Sequence, residues 1–289
     1  MAAAGRGSHE DGPLLPCTEP LGWAIYPAND ISPTMKPAKG IQRHAFFKLG
    51  KAPAKTDPRN FKFAALLKKV PPPTPPQYDF DVAHPGIPTP MFANDVHGDC
   101  VIAARAHLTL RFEDIEQGSI LMISDNDVLK EYFKESGGAD DGLNLLDSLN
   151  SWRQNGWRAA RRQYQINAFA QITPTDHAEV QAAIYLLSAA YVGLALPKSA
   201  QAQIQTGQPW AVASGPAAVP NSWGGHCVTV PGYNVTGPVC VTWGRKQQMT
   251  WAFFDQYCDE AYAVVDDKDS AKSRLDVAKL LEALRSLRA

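Results

Sequence analysis

The chain has 289 residues, with 28 Lys plus Arg against 29 Asp plus Glu and 45% hydrophobic residues. That is enough apolar material for one sizeable core with extensions, and the balanced charge excludes the strongly basic surface of a nucleic-acid binder. No apolar run approaches the ~18 residues of a membrane-spanning helix. Residues 1–12 have no apolar stretch of the secretory kind, which makes a cytoplasmic setting the expectation. The cysteines are Cys17, Cys100, Cys227, Cys240 and Cys258. They are odd in number, widely spaced and without a CxxC pair, so neither a disulfide framework nor a zinc site is indicated. No cofactor or metal is expected.

In chain order, residues 1–33 are rich in Gly, Pro and small residues and read as an extended arm, with Trp23 and Tyr26 as isolated anchors. Between Met35 and Lys69 the balance is basic, from Lys36, Lys39 and Arg43 through Lys48, Lys51 and Lys55 to Lys68 and Lys69, with Asp57 the lone acid. Docking onto an acidic face of the chain's own domain suits such a segment at least as well as phosphate binding. Asp57 as N-cap and Pro58 at the first position predict a helix running to Leu67. Val70–Pro76 reads as a polyproline linker. Residues 1–77 therefore form an N-terminal extension. It suits either a removable segment that occupies a cleft or a permanent arm; the permanent arm is expected, with Trp23, Phe46, Phe47 and Phe61 buried against the main domain and away from the Cys100 sulfur.

The main domain spans 78–267. Helices are predicted from Cys100 to about Gln117, after a Ser124 cap to Phe133, from Gly142 to Arg153, and from Pro174 to Leu187 with Thr175 or Asp176 as cap and Glu179 closing a capping box. Strands are predicted at 163–172, 226–233, 238–243 and 261–265, with a helix over 251–257. A helical half and a largely antiparallel sheet half make an α+β fold. Residues 268–289 form an amphipathic helix with Leu275, Val277, Leu280, Leu281, Leu284 and Leu287 as its stripe, suited to packing on the domain or to self-association.

Two residues in this layout carry chemistry. Cys100 follows the turn-prone Asn94-Asp-Val-His-Gly-Asp99 and opens a helix, where free N–H groups and the helix dipole favour a thiolate. His226 follows Gly224-Gly225 at the start of a strand. A helix-start cysteine facing a strand histidine is the arrangement of acyl-transfer enzymes, and it predicts the sulfur about 3.5–4.5 Å from a ring nitrogen.

These features resemble the papain-like cysteine peptidases: cysteine opening a helix, histidine opening a strand, and Trp243-Gly244 after the next strand. The resemblance covers roughly residues 79–266. It implies a helical half carrying the cysteine, an antiparallel sheet half carrying the histidine, and an oxyanion hole from the Cys100 N–H and the amide of Asn94, where the family has glutamine. More narrowly, the Lys48–Arg59 stretch, the proline-rich linker, Asn-Asp-x-x-Gly-Asp-Cys and Gly-Gly-His…Thr-Trp-Gly are similar to uncharacterised bacterial and phage-borne proteins of this kind.

Three positions depart from the family pattern. The asparagine that orients the histidine is replaced by Val241 or Thr242, leaving Thr242, Asn234 or a bare dyad. Val101 stands where papain has an aromatic residue. Asp99 puts a negative charge beside the thiol. Among other conspicuous residues, His107 lies two turns along the helix and reads as a core or cleft residue, and His97 as a turn residue. Trp243 is placed to shield the imidazole. Gly224 and Gly225 let backbone run close to the cleft, and Cys227 faces away from His226 as an inert buried thiol.

The expected function is a cysteine-dependent hydrolase or acyl transferase acting on a peptide, amide or thioester, with Cys100 and His226 as the reacting pair. The competing reading is a non-catalytic binding or structural protein that keeps the fold, such as a phage-related accessory factor.

Overall fold

The structure, a computed structural model, describes residues 47–67, 73–117 and 120–267. Trp23, Tyr26, Phe46, residues 70–72 of the proline linker and the C-terminal helix expected over 268–289 lie outside the described residues. In chain order the elements are α1 (Phe63–Leu67), β1 (Tyr78–Asp79), α2 (Phe80–Ala83), α3 (Cys100–Gln117), α4 (Asp125–Glu135), α5 (Leu145–Asn155), β2 (Trp157–Ala159), β3 (Arg162–Tyr164) and β4 (Ile166–Ile172). There follow α6 (His177–Leu187), β5 (Ala190–Leu196), α7 (Lys198–Gln205), β6 (Gly224–Tyr233), β7 (Pro238–Thr242), β8 (Arg245–Gln248), α8 (Trp251–Tyr257) and β9 (Cys258–Asp266), with a 3₁₀ turn at Pro216–Ala218. No helix among the described residues is long and apolar enough to cross a membrane.

The sheet organises everything else. Its strands run in the order β4-β9-β5-β6-β7-β8, with β1 paired to β6, and every pairing is antiparallel. Alternate residues of a strand point to opposite faces, and here each face has its own core. On β9, Tyr262 and Val264 join the helical core of α3, α4 and α5, whereas Ala261, Ala263 and Val265 join the core under α6 and α8. The long helix α3 lies on β6, tied there by Thr229 Oγ1 donating to the Ala104 carbonyl at 2.6 Å.

Local chemistry explains where several boundaries differ from the sequence prediction. The helix expected from Asp57 begins only at Phe63. The Asp57 carboxylate accepts from the Arg59 N–H and guanidinium, and Lys62 bridges to Gln171, so the chain turns and then runs extended before α1. The strand expected over 163–172 is two strands broken at Gln165, whose side chain caps the end of α5 through the Arg153 carbonyl. The α6 cap is Asp176, which accepts from the Glu179 N–H at 3.2 Å. Glu179 does not close a capping box; it accepts from the N–H of Thr173 and of Ala64, fastening α1 to α6. The sequence reading assigned nothing to β5, which runs between β9 and β6.

Candidate active site

The antiparallel stacking of β5, β6 and β7 brings the start of β6 beside the N-terminus of α3. Cys100 is the first residue of α3 and is 1% exposed. Its sulfur receives the backbone N–H of Cys227 at 3.4 Å. His226, the preceding residue, is 1% exposed, and its Nε2 lies 2.7 Å from Thr242 Oγ1 on β7. The indole of Trp243 stacks on the imidazole at 4.1 Å and 8°. Nδ1 has no hydrogen-bond partner among the described residues, and none joins the ring to the sulfur. With Nε2 directed at the Thr242 hydroxyl, Nδ1 is the nitrogen free for proton exchange. Asn234 is engaged elsewhere, with Gln248.

Asn94 is buried near the cysteine, but its amide nitrogen donates to Asp99 Oδ1 at 2.9 Å and to the His97 carbonyl at 3.2 Å. Burial carries the Asp99 carboxyl up to about 8, against the Asn94 hydrogen bond that favours its anion. His97 sits by Asp140 and is part-exposed. His107 is a core residue against Phe92, and burial lowers its pKa to about 3. Cys227 packs into the helical core, as its place on the strand implied.

What lies over this site departs from the expected arm that stays away from the sulfur. Residues 47–52 cross it in extended form. Trp243 Nε1 donates to the Lys48 carbonyl, and the Lys48 N–H donates to the Asn94 carbonyl. Lys51 N–H donates to the Gly225 carbonyl at 3.0 Å, Leu143 N–H to the Gly50 carbonyl at 2.8 Å, and Ala52 N–H to the Leu143 carbonyl at 2.9 Å. Only glycine fits at position 50, where a Cβ would stand 1.8 Å from the Gly98 carbonyl oxygen; one on Gly225 would stand 2.2 Å from that of Lys51. Phe47 packs on Trp243 with ring centroids 4.7 Å apart. The extension does dock on carboxylates, through Lys51 on Asp259 and Glu260 and Lys55 on Asp147. It does not stay clear of the sulfur, however: Lys51 pairs with Gly225 on one wall, and Gly50 and Ala52 pair with Leu143 on the other.

This cover sets the electrostatics. Burial pushes the Cys100 thiol up to about 12, with Asp99 adding to the rise and the amides of Cys227 and Gly50 and the Lys51 charge opposing it. Burial likewise takes the His226 imidazole down to about 3. Both groups are therefore neutral near pH 7 as covered. Among the described residues no cluster of His, Cys, Asp or Glu is grouped to hold a metal.

The fold is papain-like: helices carrying the cysteine on one side, an antiparallel sheet carrying the histidine on the other. Solved structures bear this out at low sequence identity. Xylellain, a cysteine protease from Xylella fastidiosa, superposes with a TM-score of 0.59 at 15% identity, over 79% of this chain and 100% of its own. ProCathepsin B S9 from Trypanosoma congolense gives 0.52 at 12%, over 79% and 86%. The ragweed pollen allergen Amb a 11, a cysteine protease in its proform, gives 0.51 at 13%, over 71% and 70%. No protein-family model and no curated protein matches the sequence.

Proposed function

We propose that the chain is a papain-like cysteine hydrolase acting on a peptide or related amide bond, held closed by its own residues 47–52. The observation that carries this reading is the oriented imidazole: Nε2 on Thr242, Trp243 across the ring, and Nδ1 unengaged beside a strand amide that reaches the Cys100 sulfur.

With the cleft open, Cys100 loses its proton to His226 Nδ1, and its sulfur forms a bond to the substrate carbonyl carbon. The Cys100 N–H at the start of α3 is placed for the resulting oxyanion. Asn94 adds a second donor only if its amide turns from Asp99. The C–N bond then breaks, and the amine leaves with the proton held by His226. Water, deprotonated by His226, attacks the thioester and releases the acid and the thiol. An acceptor other than water in this last step makes the same site an acyl transferase, and a thioester substrate enters by the same attack. A reducing, cytoplasmic setting belongs to the same proposal and fits the free thiols of Cys100, Cys227, Cys240 and Cys258 among the described residues.

Two observations favour the non-catalytic reading: the Asn94 amide is committed to Asp99, and the thiol is covered. Cysteine labelling by iodoacetamide, mapped by mass, separates the two. The hydrolase reading expects Cys100 to react ahead of Cys227, Cys240 and Cys258 in a Lys51→Ala chain, and His226→Ala to slow it by about tenfold or more. Labelling of Cys100 that ignores His226, or that lags the other cysteines, leaves the binding-protein reading standing.

A further inference from the structure

The cover over Cys100 is anchored by a side chain whose receptor is unusual. Lys51 is buried, and its ammonium lies 2.9 Å from Asp259 Oδ2 and 3.1 Å from Glu260 Oε1, the second contact too oblique for a hydrogen bond. Asp259 and Glu260 are consecutive, and consecutive strand residues point to opposite faces. A bulge removes that conflict. Glu260 pairs with Gly193 and Cys258 with Leu194, so Asp259 is an inserted residue and both carboxylates reach one cation.

The opposite wall is hollowed to match, since a Cβ on Gly193 would stand 2.2 Å from Lys51 Cε and 2.7 Å from Glu260 Cγ. Burial alone would pull the ammonium down, yet Glu260 and Asp259 hold it above its ordinary range. Burial raises Glu260 in turn, with Lys51 opposing the rise. The two directions agree once one cation is seen to serve two acids.

The backbone around Lys51 is held by main-chain hydrogen bonds to Gly225 and Leu143. Such bonds read no side chain at position 51, so the choice there falls to the pocket beneath, while the neighbouring position 50 takes only glycine in this closed arrangement. When residues 47–52 leave, the buried Glu260 and the part-exposed Asp259 lose the cation they share.

We infer that the pocket formed by Asp259, Glu260 and Gly193 is a specificity site for a basic side chain, lysine or arginine, of the peptide substrate, and that Lys51 occupies it as an internal stand-in. This rests on the hydrolase reading above. It adds a substrate class to that reading: peptides with a basic residue placed where Lys51 now sits.

The test uses the full chain carrying Lys51→Ala, so that the segment keeps its backbone and loses its anchor. Tripeptidyl chloromethyl ketones carry Lys, Arg, norleucine or Glu at each of the three residues before the ketone. Their rates of alkylating Cys100 are measured relative to iodoacetamide. A basic residue at one position should give a rate about tenfold above norleucine and further above Glu. Adding Asp259→Asn and Glu260→Gln should shrink that ratio to within about threefold. A ratio near unity, or a basic preference that survives loss of both carboxylates, overturns the inference while leaving the hydrolase reading intact.

If no reagent reaches Cys100, the hydrolase reading fails, and a second measurement judges the pocket alone. Propylammonium, the part of the lysine side chain beyond Cβ, should raise the melting temperature of Lys51→Ala by about 2 °C where propanol does not. The rise should vanish with the two carboxylates. No rise overturns the pocket as a basic-group site.

Discussion

Two buried cations, Arg105 and Lys51, show two uses of the same physics. Arg105 projects from α3 into the helical core and is 0% exposed. It donates to Glu135 on α4 and to the Ser148 carbonyl on α5, each at 2.8 Å, and its guanidinium lies 5.3 Å over Trp152. Every partner belongs to the same core, so the charge joins three helices permanently. Lys51 is as deeply buried, but its partners lie on β9 while its own segment is tied to the domain by backbone bonds and glycine-to-backbone contacts. A buried ion pair is weak evidence for net stability, and removing one partner is what costs. Within a core that cost falls on the fold; between a core and an added segment it falls on the segment's residence in the cleft.

The sharpest way to break the comparison is to delete each cation. Arg105→Ala should cost about 3–5 kcal/mol, because Glu135 is left buried without its charge partner. The melting temperature should drop by roughly 10 °C, with no gain in Cys100 labelling below the transition. Lys51→Ala should lower the melting temperature less and raise Cys100 labelling by about tenfold, equivalent to roughly 1.4 kcal/mol less favourable closure. Equal melting losses with an untouched thiol in both variants would make Lys51 another structural cation and end the distinction.

Asp99 tests the wall beside the thiol. Its folded pKa, about 8, lies above the unfolded value, so the native state holds a proton that the unfolded state releases. Stability from this group is fullest below an ordinary carboxyl pKa and falls as pH rises toward about 8. Asp99→Asn keeps an acceptor for Asn94 and removes the titration. Chemical denaturation should find the variant more stable than the parent by on the order of 5 kcal/mol at pH 9, with the gap closing by pH 4. A constant gap across that range would mean that Asp99 is ionised throughout. The smallest effect belongs to Lys55, whose pair with Asp147 is more than half exposed on both sides. Lys55→Ala should change stability by less than about 0.5 kcal/mol and leave Cys100 labelling as it was, confining the anchor to Lys51.

The elements most legible in the sequence were those whose ends carry their own chemistry. The turn before Cys100, the Ser124 cap and the apolar stripe of α5 mark helices without reference to the rest of the chain. Trp243-Gly244 made Thr242 one candidate partner for His226, beside Asn234 and a bare dyad, and the contact at 2.7 Å between His226 and Thr242 is a matter of strand pairing. By contrast β5, Ala-Tyr-Val-Gly-Leu-Ala-Leu, is apolar throughout, since it is buried on both faces, and so has no alternation to announce it. The helix placed at Asp57 failed because one carboxylate can cap a helix or close a turn with Arg59, and the local sequence suits both.

The sequence by itself determined the class of fold and the residues able to do chemistry, because a cysteine opening a helix and a histidine opening a strand are local patterns. Only the tertiary structure decided what surrounds them. The Asn94 amide turns to Asp99 within the folded loop before α3, residues 47–52 close the cleft through backbone bonds to Gly225 and Leu143, and Asp259 and Glu260 share Lys51 across 208 and 209 positions of chain because of one bulge. Composition predicted a basic segment that would find acid. Which acid it found depends on the bulge at Asp259 and on the Gly225 and Leu143 backbone groups that hold Lys51, and no local pattern encodes that.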